Sequence, residues 1–183
     1  SSISMAEGAY GGSNSAARQV QMSVYSCASD YNFRYTDNLL GNVISSSYAG
    51  CFGGDDVPID AANNGVMFLN SSMQFREIRD GASNTIMIGE KLNPRETIDL
   101  GWMSGTSATL RNTGVRINDS AQRTWNNAGR AAGYETGVDE TQPGDSPEPD
   151  YATGGFSSRH VGGSQVALAD GSVRFLSENI GLK

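Results

Sequence analysis

His160 is the only histidine in the chain, which limits the acid–base chemistry the sequence can assemble. A nucleophile–base–acid arrangement would have to use it, together with Asp170 and a serine such as Ser157 or Ser158. The ring can instead fix the Gly162-Gly163 turn beside it by bonding backbone carbonyls or a carboxylate, and the residues favour that structural role. Cys27 and Cys51 lack metal-ligand spacing, and one histidine cannot complete a Cys/His zinc site. In an exported chain the two cysteines are expected to form a disulfide, whose loop closure would stabilise by ~3 kcal/mol. Two separate buried thiols are the alternative. No catalytic residue and no cofactor is expected, so the chain reads as a non-enzyme.

The remaining candidates bind rather than react. Trp102 and Trp125 with Tyr134 lie in an Asn-rich region and could form a sugar-stacking platform, although anchoring a core or a loop is the commoner use of such rings. Asp139, Asp145 and Asp170 are the carboxylates a calcium ion would use. Calcium wants six to eight oxygens, however, and no Asp-x-Asp-x-Asp-Gly loop is present. Asp80-Gly81 with Ser83-Asn84-Thr85 supplies short polar side chains that close turns on backbone N–H groups without a ligand. Glu90 ends an apolar run, as a buried acid paired with an arginine such as Arg79 or as an exposed strand-end charge. Two glycosylation sequons, at Asn70 and Asn118, are of a length that arises by chance.

Composition narrows the class of partner. Of the 183 residues 37% are hydrophobic, only 18% are charged, and 23 are glycine, a profile suited to a loop-rich β protein outside the cytoplasm. The net charge of −7 is concentrated between Glu135 and Asp150, which hold acids and no base, while elsewhere acids and bases nearly balance. With no basic cluster, neither nucleic acid nor an anionic lipid surface is an expected partner. No apolar run is long enough to span a membrane.

These residues must be positioned by one domain covering 1–183. Residues 1–15 read as a tail, 16–92 as a strand-rich core, 93–154 as an irregular insertion with an acidic loop, and 155–183 as a C-terminal hairpin. Alternation or apolar runs predict strands at 20–25, 42–51, 66–69 and 85–90, with a turn of helix over 73–79. Pro143, Pro147 and Pro149 keep the acidic segment out of helix and central strand. Asp170-Gly171 between two strand-like runs predicts a two-residue type I′ turn, with Ala169 facing Ser172 and Ala167 facing Arg174. The expected class is α+β, mainly antiparallel β.

Several stretches together resemble a known family. His160 and Asp170-Gly171 are spaced as in the C-terminal His-x9-Asp-Gly signature of prepilin-type proteins. Asp80-Gly81-Ala82-Ser83-Asn84-Thr85, followed by Glu90, resembles the Asp-Gly-Thr-Ser-Asn-Thr segment of the large planctomycete-type family of prepilin-like proteins. Cys27-Ala28-Ser29-Asp30 and Tyr48-Ala49-Gly50-Cys51 resemble its Cys-Pro-Ser-Asp and Asn-Tyr-x-Gly segments, with Ala28 and Ala82 as departures. The resemblance implies a pilin- or pseudopilin-like headpiece whose N-terminal hydrophobic helix is missing from this chain. It further implies display at the cell surface or in the periplasm. Other pilin-like subunits would be met through the missing helix, which would also make the only membrane contact. A structural or adhesive subunit of a surface filament or pseudopilus is therefore the expected function. A surface-tethered module binding glycan or another solute is the alternative.

Overall fold

The structure is a computed structural model that describes residues 3–30, 34–37, 41–92, 100–119 and 153–181. Tyr48-Ala-Gly-Cys-Phe-Gly53 forms a strand of mostly small residues that is buried from Ala49 onward. This strand, β3, follows a separate antiparallel ribbon made by β1 (Arg34–Asp37) and β2 (Gly41–Ile44). It pairs antiparallel with β4 (Ile86–Glu90) and parallel with β5 (Leu110–Asn112). Antiparallel β6 (Gly163–Leu168) and β7 (Val173–Ser177) complete a sheet of order β5-β3-β4-β6-β7. A single short helix, α1 (Ser15–Arg18), makes the described residues a mixed fold dominated by a mostly antiparallel sheet. No described helix is long and apolar enough to cross a membrane.

The sheet's core is thin. Ala49, Cys51 and Phe156 cluster with Ile86 packed against them, and Val166 and Leu168 are buried on β6 by the alternation of the pleat. Gly89 is required by this packing, since a Cβ there would lie 2.5 Å from the Phe156 ring.

The C-terminal hairpin forms, but its register is shifted by one residue from expectation. Ala167 faces Val173 and Val166 faces Arg174. Leu168 accepts from Gly171 N–H at 2.9 Å and donates to Ser172 O at 2.8 Å, so the loop holds three residues instead of two. Only Gly171 adopts a positive φ, +84°. Asp170 does not, and its carboxylate accepts from the Ser172 amide at 2.9 Å and from its hydroxyl at 2.7 Å. A local side-chain turn thus replaced the type I′ geometry by a three-residue loop closed on glycine.

Other sequence expectations fail for identifiable reasons. Residues 20–25 are not a strand: Ser23–Tyr25 is a 3-10 turn in which the Tyr25 and Ser26 amides donate to the Met22 and Ser23 carbonyls, leaving Val24 exposed. Residues 66–69 lie across β3, with the Gly65 and Met67 amides bonding Phe52 and Cys51 carbonyls, and Met67 and Leu69 are exposed. The N-terminal stretch is not wholly a loose tail. Buried Asn14 exchanges hydrogen bonds with the Ser4 backbone and donates to Gly8 O, while Arg18 donates to Ala9 O and Gly11 O. The supposed insertion contributes β5 to the main sheet. Its acidic loop lies outside the described residues.

Gly89→Ala should overpack the Phe156 contact and destabilise the fold by about 1–3 kcal/mol, read as a lowered midpoint in thermal unfolding.

Candidate functional site

The ends of three sheet strands converge on one buried carboxylate. Register places Tyr48, the first residue of β3, directly opposite Glu90, the last residue of β4. Gln165 near the start of β6 donates its amide to Glu90 Oε2 at 2.7 Å, and the Ser164 hydroxyl adds a longer bond of 3.4 Å. The Glu90 backbone carbonyl accepts from Ser157 N–H at 2.9 Å, and the Lys91 amide donates to Ser47 O. Glu90 is buried, with its carboxylate held by β6 and its backbone held by register with β3.

Two loops complete the site. Ser158 Oγ bonds Gly163 O and receives the His160 amide, closing the loop that precedes β6. This brings His160 Nε2 to 3.1 Å from Glu90 Oε1. From the other side, Cys27 follows the 3-10 turn at Ser23–Tyr25, which is held to the sheet by Ser47 N–H bonding Tyr25 O. Cys27 Sγ lies 3.6 Å from the same imidazole nitrogen. Asp30, one turn further on, is buried, accepts from Ser47 Oγ and sits 3.8 Å from the Arg159 guanidinium. The segment 27–30 is thus clamped twice to 159–160, by Cys27–His160 and by Asp30–Arg159.

One nitrogen cannot satisfy both neighbours in a conventional way. If Nε2 carries the proton it donates to Glu90 and cannot accept from the Cys27 thiol. If it is bare, it faces an acceptor oxygen of Glu90. A nucleophile–base–acid relay uses the two ring nitrogens separately, one towards each partner, and this arrangement does not. The Tyr48 hydroxyl is raised above its ordinary value chiefly by burial and further by the charges of Cys27 and Glu90.

Cys27 and Cys51 are both free thiols, which corrects the expected disulfide. Cys27 is drawn towards His160, while Cys51 lies inside β3 and bonds Gly53 O at 3.7 Å. Burial pushes the Cys51 thiol up to about 11. The Glu90 partner is likewise corrected: it is His160, and Arg79 is exposed.

The other sequence candidates are placed as follows. Gly81 adopts φ +87°, and its carbonyl accepts from the Asn84 amide and the Thr85 hydroxyl, while Asn84 Nδ2 donates to Asp80 O. No bond to the Ser83 hydroxyl enters this turn. The turn docks on the hairpin loop through Asp170 N–H to Ala82 O and Ala169 N–H to Thr85 O. Asp170 itself is exposed, and its Ser172 bonds hold its carboxyl below the usual carboxylate range. Trp102 stacks obliquely on Tyr25, with ring centroids 5.8 Å apart, in an open cleft of about 200 Å³ that Tyr48 and Met67 also line. The Trp102 indole N–H is buried without a hydrogen-bond partner. Trp125, Tyr134, Asp139 and Asp145 lie outside the described residues.

Sequence reasoning missed the meeting of Cys27, Tyr48, Glu90 and His160. Each lies in or beside a family-like segment, and that shared membership was the available signal. The family described as "Protein of unknown function (DUF1559)" matches residues 2–183 of the chain. No curated protein and no solved structure matches it.

Two measurements check this geometry. A thiol reagent should modify Cys27 in the native protein and Cys51 only after unfolding. Glu90→Ala, which strips the Gln165 amide of its acceptor, should cost about 2 kcal/mol in chemical denaturation.

Proposed function

The chain belongs to the DUF1559 family of unknown function, and from that premise we propose that it is a pilin-like structural or adhesive subunit of a bacterial surface filament or pseudopilus. The His-x9-Asp-Gly and Asp-Gly-x-Ser-Asn-Thr segments underlie this reading. They imply a headpiece displayed at the cell surface or in the periplasm, carried by an N-terminal apolar helix ahead of this sequence. The observation that supports it best is the character of β7. Among the described residues this is an edge strand of the five-stranded sheet, and it carries Val173 at 66% and Phe175 at 47% exposure. An edge with unpaired ladder groups and apolar side chains is what monomeric proteins usually blunt. In an assembly a neighbouring subunit covers it. Such a contact is weak between separate headpieces and becomes effective when anchoring helices raise the local concentration.

A second reading, a surface-tethered glycan- or solute-binding module, is favoured by the aromatic cleft. There the Tyr25 and Trp102 rings border space, and a buried indole donor has no protein acceptor.

The double substitution Val173→Lys with Phe175→Lys in the full-length gene tests the first reading. It should lower recovery in the sheared surface fraction at least tenfold while leaving the melting temperature of the purified chain nearly unchanged. Unaltered recovery would overturn the role of β7. Absence of the wild-type protein from any assembled surface fraction would overturn the filament reading itself.

A further inference from the structure

We infer that Cys27 Sγ, Glu90 Oε1 and His160 Nε2 form a three-ligand site for a borderline divalent cation of the zinc type, with one coordination position open. The inference rests on the geometry of the junction and stands apart from the filament reading. The three ligand atoms lie within 4.8 Å of one another. Zinc bound at about 2.3 Å to sulfur and about 2.0 Å to nitrogen or oxygen, with tetrahedral angles, separates its ligands by about 3.5 Å for S···N and about 3.3 Å for N···O. The observed separations are 3.6 Å for Cys27 Sγ···His160 Nε2 and 3.1 Å for His160 Nε2···Glu90 Oε1. Two edges of the coordination polyhedron are therefore already in place.

The chemistry of the donors agrees with the distances. A thiolate, an imidazole and a carboxylate are a set that zinc and its neighbours in the first transition row accept, whereas calcium and magnesium prefer oxygen alone. A cation at the common focus resolves the conflict at Nε2, because all three atoms then present lone pairs to it. Binding releases the Cys27 thiol proton, while a neutral His160 with its proton on Nε2 only moves it to Nδ1, so affinity falls as pH falls.

Supporting bonds hold the ligands in position, as metal sites require. Glu90 Oε2 is occupied by the Gln165 amide, which leaves Oε1 for the ion. Ser158 and the Asp30–Arg159 pair fix the two loops. His160 has 34% of its side chain exposed and Cys27 is half-buried, so solvent or an external anionic donor can reach the fourth position. A bound ion would staple segment 27–30, the end of β4 and the loop before β6.

Cobalt(II) titration of chelator-stripped protein tests this directly. The expected result is one equivalent bound, with tetrahedral d–d bands and a thiolate-to-cobalt charge-transfer band. Cys27→Ser should remove the charge-transfer band, and His160→Ala should weaken binding at least tenfold. Cys51→Ser should leave both intact. Because a variant can fail to fold, a second readout uses the unaltered chain. One equivalent of zinc should slow alkylation of Cys27 at least tenfold, with full reactivity returning on chelation. Spectra that stay octahedral or thiolate-free, or Cys27 alkylation indifferent to zinc, would overturn the inference and leave a hydrogen-bonded cluster only.

Discussion

The buried Glu90 carboxylate is the constraint around which the described fold is arranged. An ionised carboxylate removed from water is costly unless its oxygens are satisfied. Here the bonds come from Gln165 and Ser164 on β6 and from His160 in the loop before it. Its register partner is the first residue of β3. The requirement to satisfy one side chain therefore dictates how β4 and β6 end, how residues 158–163 turn, and where Cys27 comes to rest. The apolar core is modest by comparison, since β3 buries mostly small residues and β7 buries little.

Sequence legibility followed the range of the interaction involved. The strand at residues 85–90, the helical turn near residue 75 and the C-terminal hairpin arise from local patterning and were readable. The hairpin register was not, because Asp170 closes a side-chain turn on Ser172 that a dipeptide signal does not encode. The 20–25 segment alternates as a strand does, yet its amides close locally and it finds no ladder. β5 is three residues long and pairs in parallel with β3, a long-range contact that no window of sequence announces.

The site was legible only in fragments. Cys27, Tyr48, Glu90 and His160 belong to separate family-like segments, each with an adequate local explanation. Their convergence is a tertiary fact. The disulfide expectation gave way to the alternative of two separate thiols, because tertiary packing draws Cys27 to His160 and keeps Cys51 inside β3. Cys51 sits in the core and Cys27 at the junction, so the two thiols have different environments and different chemistry.

Native-state hydrogen exchange tests most directly whether the Glu90 junction is one cooperative unit. The amides of Ser47, Lys91, Ser157 and Gln165 tie the Cys27 segment, β3, β4 and the His160 loop to one another. The account predicts a common opening free energy for all four, close to that of global unfolding. A Ser47 or Ser157 amide that exchanged orders of magnitude faster than that of Gln165 would mean that the loops open independently of the carboxylate, and would contradict it.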